Sequence, residues 1–241
     1  EAGQLIKRSL EIWEKAFGPE NTSIETSLNL LGYIYIKQRR YVEAESIYKR
    51  ALIISEKIHG SEHPDVALIL NNLANIYDKQ ELFAEAVQLY KRSLKIYEKV
   101  LGPEHSDVAV SLTNLAHVYS KQALYDEAEE LYKRALSIIE KILGPEHSYI
   151  AIILTSLANN YYSQIRYEDA ESLYKRALAI REKALGPEHS TVAFILSKLG
   201  TPSGLVVPGC PLTGTTEVPL STVGSFEIPG LSVSPPQPTR P

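Results

Sequence analysis

A repeat with a period of 42 residues runs through residues 1–200 and constrains the fold of this chain more than any other feature. The clearest copies are variants of Tyr-Lys-Arg-Ala-Leu that begin at Tyr48, Tyr90, Tyr132 and Tyr174. Columns of glycine, leucine and alanine keep the same step. Many columns with one period do not arise by chance, so the sequence predicts stacked copies of one small unit rather than a single closed core.

Each repeat unit predicts two amphipathic helices. In the second unit, apolar residues with a period near 3.6 predict a first helix over about 64–80 and a second helix over about 84–101. Every proline of the repeat region falls in a joint between helices, and Gly102 follows the second helix, where a left-handed glycine ends a helix at low cost. The array is therefore predicted to be all-α. It would comprise a leading helix over 1–17, four complete pairs, and a truncated last helix over about 190–200.

Two columns of small residues predict how the paired helices pack. They contain Gly32, Ala74, Ala116 and Ala158 on the first helices, and Ala44, Ala86, Ala128 and Ala170 on the second. Small side chains let two antiparallel helices approach closely. Because one such pair cannot bury its apolar face alone, the pairs are expected to stack into a solenoid.

Composition excludes several classes of function. A net charge of −4 without a clustered basic face argues against nucleic acid as a partner, and RNA binding through helical repeats is a weak alternative for the same reason. The single cysteine, Cys210, excludes a disulfide framework. No apolar run approaches the ~20 residues of a membrane span, and no signal peptide is visible, so we expect a cytoplasmic protein. The chain starts in mid-pattern without Met, which indicates a piece of a longer protein.

No motif for catalysis, a cofactor or a metal ion is found in the sequence, so we expect a non-enzymatic protein. Four histidines recur every 42 residues, with Asn21 in the same column: His63, His105, His147 and His189. Equivalent residues of stacked helices lie about 10 Å apart, whereas zinc ligands lie about 2 Å from one ion. The interchange with Asn indicates instead a role in the joint or at the start of the helix. His59, where other units have leucine or phenylalanine, is interpreted as a local replacement.

The pattern within each unit resembles the tetratricopeptide repeat. The residues that carry the resemblance are Leu73-Ala74, Tyr77, Gln80, Phe83, Glu85-Ala86 and Tyr90-Lys91-Arg92-Ser93-Leu94. The 42-residue length, with Leu70-Asn71-Asn72-Leu73-Ala74 and Leu101-Gly102-Pro103-Glu104-His105, is similar to the kinesin light chain subclass. The resemblance implies a right-handed superhelical solenoid. It also implies that the first helices line a concave groove in which an extended peptide lies.

Under this resemblance, three variable columns of the first helices are expected to line the groove. The first contains Asn29, Asn71, Thr113 and Thr155, and the second contains Tyr33, Asn75, His117 and Asn159. The third contains Ile36, Asp78, Ser120 and Tyr162, beside Lys37, Lys79, Lys121 and Ser163. Amide side chains can hold a peptide backbone, and the lysines favour an acidic ligand. The alternative is that these residues form only a solvated helix face.

The last segment, residues 201–241, has a different composition and is predicted to be a disordered tail or linker. It holds nine of the fourteen prolines, and Pro202 prevents the last helix from continuing. A fused or misread coding segment is an alternative origin.

Together these features predict a scaffold that binds a peptide segment of a partner protein. The main alternative is the sensor arm of a larger signalling ATPase or protease.

Overall fold

The structure, a computed structural model, describes residues 2–18 and 20–200. Within this part of the chain it contains ten α-helices and no strand. Their bounds are α1 Ala2–Phe17, α2 Thr22–Lys37, α3 Tyr41–His59, α4 Pro64–Lys79, α5 Phe83–Leu101, α6 Ser106–Lys121, α7 Tyr125–Leu143, α8 Ser148–Ser163, α9 Tyr167–Leu185 and α10 Ser190–Leu199. The prediction of nine full helices and a truncated tenth is confirmed, whereas the predicted tail lies outside the described residues.

Consecutive helices form hairpins that stack in chain order. Helices α2 and α3, α4 and α5, α6 and α7, and α8 and α9 pair with each other, and each pair packs on the next. The first helices of successive pairs also touch, α4 with α6 and α6 with α8, as the inner side of a curved stack requires. The architecture is the solenoid of stacked hairpins that the repeat predicts, with the right-handed superhelix that the resemblance implies. None of the described helices combines the length and the apolar character needed to cross a membrane.

The recurring histidine starts helices, as predicted. The Nδ1 atoms of His63, His105, His147 and His189 each accept a hydrogen bond from the backbone N–H two residues later, at 3.2 Å. In α2, the Asn21 side chain accepts the corresponding bond from Ser23 at 2.8 Å. These bonds satisfy one of the N–H groups that a helix leaves unpaired at its start.

The joints at helix ends use two different backbone conformations. Gly60 ends α3 with φ 86° and ψ 159°. The positive φ is the left-handed feature that the sequence predicted for these glycines, and this value of ψ lies in a region that almost no residue except glycine adopts. Within each hairpin a non-glycine residue takes the left-handed conformation instead, as at Glu81 with φ 62°. There the Leu82 N–H donates to the Tyr77 carbonyl at 2.8 Å, which closes a Schellman turn.

The small columns are buried between the paired helices, as the packing prediction requires. Ala74, Ala116 and Ala158 have no exposed surface. In the first hairpin the ring of Tyr48 fills the space beside Gly32, where an added Cβ would stand 2.6 Å from the ring. The small residue therefore sets the distance at which the buried tyrosine of the second helix can pack.

Ion pairs connect the second helices along the outer face. An arginine of each second helix reaches a glutamate of the preceding one, in the pairs Arg50–Glu14, Arg92–Glu56, Arg134–Glu98 and Arg176–Glu140. The Glu-to-Lys pairs four residues apart within single helices also form, as in Glu129–Lys133 at 2.5 Å. The lysines and arginines of the outer face are therefore interleaved with acidic partners.

Candidate peptide-binding groove

The first predicted groove column is mostly buried between helices. Asn71 donates from Nδ2 to the hydroxyls of Ser93 at 2.9 Å and Ser111 at 2.8 Å, and so joins three helices. The hydroxyls of Thr113 and Thr155 donate to the carbonyl four residues earlier, at 2.8 and 2.6 Å. All three side chains are at most 7% exposed. They stabilise the helix packing and offer almost no surface to a ligand.

The second column is partly exposed in every hairpin. It contains Tyr33, Asn75, His117 and Asn159, all of intermediate burial. The Oδ1 of Asn159 accepts a hydrogen bond from the Tyr174 hydroxyl at 2.5 Å. Burial raises the pKa of Tyr174, so its hydroxyl keeps its proton and remains a donor. This bond holds the Asn159 amide in one orientation on the surface of α8.

In the third column Ile36 and Asp78 are buried, and Asp78 lies near two lysines and a histidine. Its carboxylate lies 3.1 Å from Lys121 Nζ, 3.8 Å from Lys79 Nζ and 4.0 Å from His117 Nε2. A buried carboxylate of this kind needs such partners, because water no longer solvates it. Asp78 therefore anchors part of the predicted basic surface, and it is not itself exposed to a ligand.

Aromatic rings and lysines meet at both ends of the first-helix surface. Lys37 Nζ lies 5.1 Å from the ring centroid of Tyr33 in α2. In α8 the ring of Tyr162 packs edge-on against Tyr167 at 5.1 Å, with Lys198 Nζ at 5.5 Å. These distances allow cation–π attraction, which keeps the lysine stems against the protein surface.

The accessible strip of each first helix is rotated by about one residue from the predicted columns. We define the inner face as positions 26, 30, 33 and 37 and their equivalents at steps of 42 residues. It comprises Thr26, Leu30, Tyr33, Lys37, Leu68, Asn72, Asn75, Lys79, Val110, Asn114, His117, Lys121, Ile152, Ser156, Asn159 and Ser163, none of which is buried. Between α2 and α4 this face borders a cleft of about 640 Å³, and Asn29 also lines this cleft.

Sequence reasoning missed the Thr26 and Leu30 columns of the inner face. The signal was available, because the spacings 4, 3 and 4 from position 26 to position 37 follow one side of a helix opposite the apolar stripe. The other omission is at the joint between α3 and α4. There the ligand atoms of His59, His63 and Asp65 lie within 4.8 Å of one another.

Stacked helical hairpins with a shared inner face define a helical-repeat solenoid, and the sequence identifies its family. The family model for the tetratricopeptide repeat matches residues 1–52, 22–99, 66–141, 107–183 and 149–201. The chain belongs to the tetratricopeptide repeat family. No curated protein matches it significantly in sequence.

Among solved structures, the chain is similar to proteins with repeats of the kinesin light chain type. It is 24% identical to BtubC (BKLC) from P. vanneervenii, with a TM-score of 0.70 over 82% of this chain and 80% of that one. A Podosopora anserina kinesin light chain with nearly identical TPR-like repeats is 27% identical, with a TM-score of 0.65 over 76% and 86%. The apo form of RapI shares the fold at 20% identity, with a TM-score of 0.67 over 83% and 69%.

The family and its fold indicate the general role of the chain. Tetratricopeptide repeat arrays are in general non-catalytic scaffolds for protein interaction, and their partners are proteins. The Podosopora anserina neighbour agrees with the predicted resemblance to the kinesin light chain subclass.

Proposed function

We propose that this chain is a non-enzymatic scaffold that binds an extended, acidic peptide segment of a partner protein along its inner face. The observation that carries the proposal is the continuity of that face. The strip from α2 to α8 is unburied in each of the four hairpins and combines amide, aromatic and lysine side chains. We further propose that residues 1–200 form the binding unit, in a cytoplasmic protein, and that residues 201–241 form a separate segment.

Amide side chains of the inner face suit a peptide backbone. Asn72, Asn75, Asn114 and Asn159 each carry a donor and an acceptor, which match the C=O and N–H groups of an extended chain. Such contacts favour an extended backbone without selecting a side chain. Leu30 and Leu68, on the walls of the cleft between α2 and α4, add apolar contact for a ligand side chain.

Lysines of the inner face favour acidic ligand residues. Lys37, Lys79 and Lys121 recur at the same position of three successive first helices. Asp78 balances part of this charge near α6, and no acidic residue occupies the inner face itself. The resulting field attracts carboxylates over distances up to the Debye length, which makes binding weaker as salt rises.

A matched pair of double variants tests the groove. The groove variant Asn75→Ala/Lys79→Ala removes one amide and one lysine from α4, and the control Gln88→Ala/Lys95→Ala removes the same two groups from the exposed surface of α5. Fluorescence anisotropy with acidic peptides selected from a library measures the affinity. We expect the groove variant to bind at least about tenfold more weakly, or ~1.4 kcal/mol, and the control to bind like the parent.

Three outcomes would contradict the proposal: equal affinity of the groove variant and the parent, a larger loss in the α5 variant, or selection of basic peptides by the library. Circular dichroism of both variants checks that the helices are retained. The sensor-arm alternative is tested separately by the sequence that precedes Glu1 in the full-length protein, where a phosphate-binding ATPase domain would favour it.

A further inference from the structure

The joint between α3 and α4 brings two histidines and two carboxylates together. His59 Nε2 lies 3.1 Å from Glu25 Oε2 and 3.8 Å from Asp65 Oδ2. His63 Nδ1 lies 3.3 Å from Asp65 Oδ2, and the two imidazole rings stack with their centroids 4.5 Å apart. These four side chains, termed the joint cluster, come from the first turn of α2, the end of α3, and the start of α4.

Two members of the joint cluster depart from the repeat, and they contact each other. Where this hairpin has Glu25, the following units have alanine at positions 67, 109, 151 and 193. Where it has His59, the following units have leucine at positions 101, 143 and 185. At this one contact a carboxylate and an imidazole replace the alanine and leucine of the other units. The other hairpins fold without either polar residue, so the pair is an addition to a packing position.

Glu25 is an unusual carboxylate for its position. Its side chain is 5% exposed, its Oε2 faces His59, and its Oε1 has no hydrogen-bond partner. A buried carboxylate oxygen without a partner is costly, so this oxygen is open to a cation or to a hydrogen-bond donor. Glu25 also borders the cleft that contains His59 and Asp65, so that a ligand can reach it from solvent.

The next hairpin shows what helix capping alone requires. There His105 and Asp107 repeat the His63–Asp65 pair at 3.5 Å, but Leu101 and Ala67 replace the other two members. Because His105 caps α6 as well as His63 caps α4, the capping role explains only half of the joint cluster. Glu25 and His59 need a different explanation.

We propose that the joint cluster binds a divalent transition-metal ion of the Zn²⁺ type. His59, His63 and Asp65 supply three ligand atoms, and Glu25 is the fourth. Imidazole nitrogens with carboxylate oxygens form a donor set that suits Zn²⁺. Bonds of about 2.0–2.1 Å to a tetrahedral ion separate the ligand atoms by about 3.3 Å. Three of the six separations among the four side chains are 3.1, 3.3 and 3.8 Å, and the atoms of His59, His63 and Asp65 all lie within 4.8 Å of one another. The two carboxylates balance the charge of the ion.

Burial also fits this site. Glu25 forms the closed side, whereas the Asp65 side chain is 52% exposed and leaves a path for the ion. His63 Nδ1 accepts the N–H of Asp65 with its one lone pair, so an ion bound through this atom would replace the capping bond of α4. The ion would join α2, α3 and α4 and thereby fix one hairpin against the next.

Titration of the untagged full chain with Zn²⁺ by calorimetry tests the proposal, with Co²⁺ absorption as a report on the ligands. We expect one saturable site, ligand-field bands of low coordination number with Co²⁺, and a higher melting temperature with Zn²⁺. His59→Leu installs the residue of the following joints, and His63→Asn installs the capping residue of α2. Each variant therefore carries the side chain that packs or caps at the equivalent position of another unit of this chain. Each is expected to bind Zn²⁺ at least about tenfold more weakly.

His105→Asn is the matched control, because it alters a capping histidine outside the joint cluster, and it should bind Zn²⁺ like the parent. The proposal is overturned if the parent shows no saturable binding. It is also overturned if His59→Leu and His63→Asn keep the parent affinity, or if His105→Asn loses as much as His63→Asn.

Discussion

Two neighbouring asparagines of α4 have opposite roles because a helix turns about 100° per residue. Asn71 is 7% exposed and bridges Ser93 and Ser111, whereas Asn72 is partly exposed on the wall of the cleft. The identity of the residue does not distinguish them. Only the register of the helix against its neighbours assigns one amide to packing and the other to the inner face.

We expect Asn71→Ala to lower the free energy of unfolding by about 1–3 kcal/mol, because it removes a buried hydrogen-bonded amide and leaves a cavity. Asn72→Ala should change stability by less than about 0.5 kcal/mol and should weaken peptide binding instead. Urea denaturation and peptide titration of both variants measure these effects. Equal stability of the two variants would mean that the Asn71 bridge contributes nothing.

At Ile165 the backbone conformation, rather than a side-chain contact, affects stability. It has φ 65° in the turn between α8 and α9, and its side chain is 73% exposed. A β-branched residue is strained there, whereas asparagine tolerates this conformation. We expect Ile165→Asn to raise the free energy of unfolding by about 1 kcal/mol in chemical denaturation. Ile53→Asn, at an exposed position inside α3, is the control and should give no gain.

At the scale of the helix, the sequence predicted what local chemistry determines. Caps, joint glycines and prolines act over a few residues, so helix number and helix ends followed from the pattern. The inner face was predicted only in part, because neighbouring positions on a helix face different ways. The column at position 29 lies mostly in the helix packing, whereas the column at position 30 is accessible. The joint cluster was missed for another reason: comparison at steps of 42 residues separates His59 from His63, although the fold stacks their rings.

The His147 cap makes the start of α8 sensitive to pH. Desolvation lowers the pKa of His147, and its Nδ1 must be unprotonated to accept the N–H of Tyr149. A group with a lowered pKa in the folded state stabilises the fold above its unfolded pKa, near 6.5, and loses this contribution as pH falls. We therefore expect stability to decrease between about pH 7 and pH 5. His147→Asn, which caps without titrating, should reduce this decrease, whereas an unchanged pH profile would contradict it.

At the scale of the whole molecule, each hairpin contacts mainly its neighbours in the chain. Stability in such arrays is approximately a sum of unit and interface contributions. The hydrophobic contacts that continue from α4 to α10 and the outer ion pairs both follow this rule. A change in one joint, including a metal ion at the joint cluster, should therefore act most strongly on the two hairpins that it connects.

The segment 201–241 lies outside the described residues, and its contribution stays a prediction. Its composition lacks the apolar periodicity of the repeats, so we expect deletion of residues 202–241 to change the free energy of unfolding by less than about 0.5 kcal/mol. Denaturation of the deleted and full chains measures this difference. Strong hydrogen-exchange protection across residues 204–232 would contradict it and would indicate a built-in cap or ligand.

The arginine-to-glutamate contacts along the outer face have a direction, because each second helix presents its arginine backward and its glutamate forward. Arg92 reaches Glu56, and Glu98 receives Arg134. Every internal unit thus matches any other in this series of ion pairs. A duplication or deletion of 42 residues would leave no charge of the series orphaned, so the array can become longer or shorter without breaking the ion pairs of its outer face.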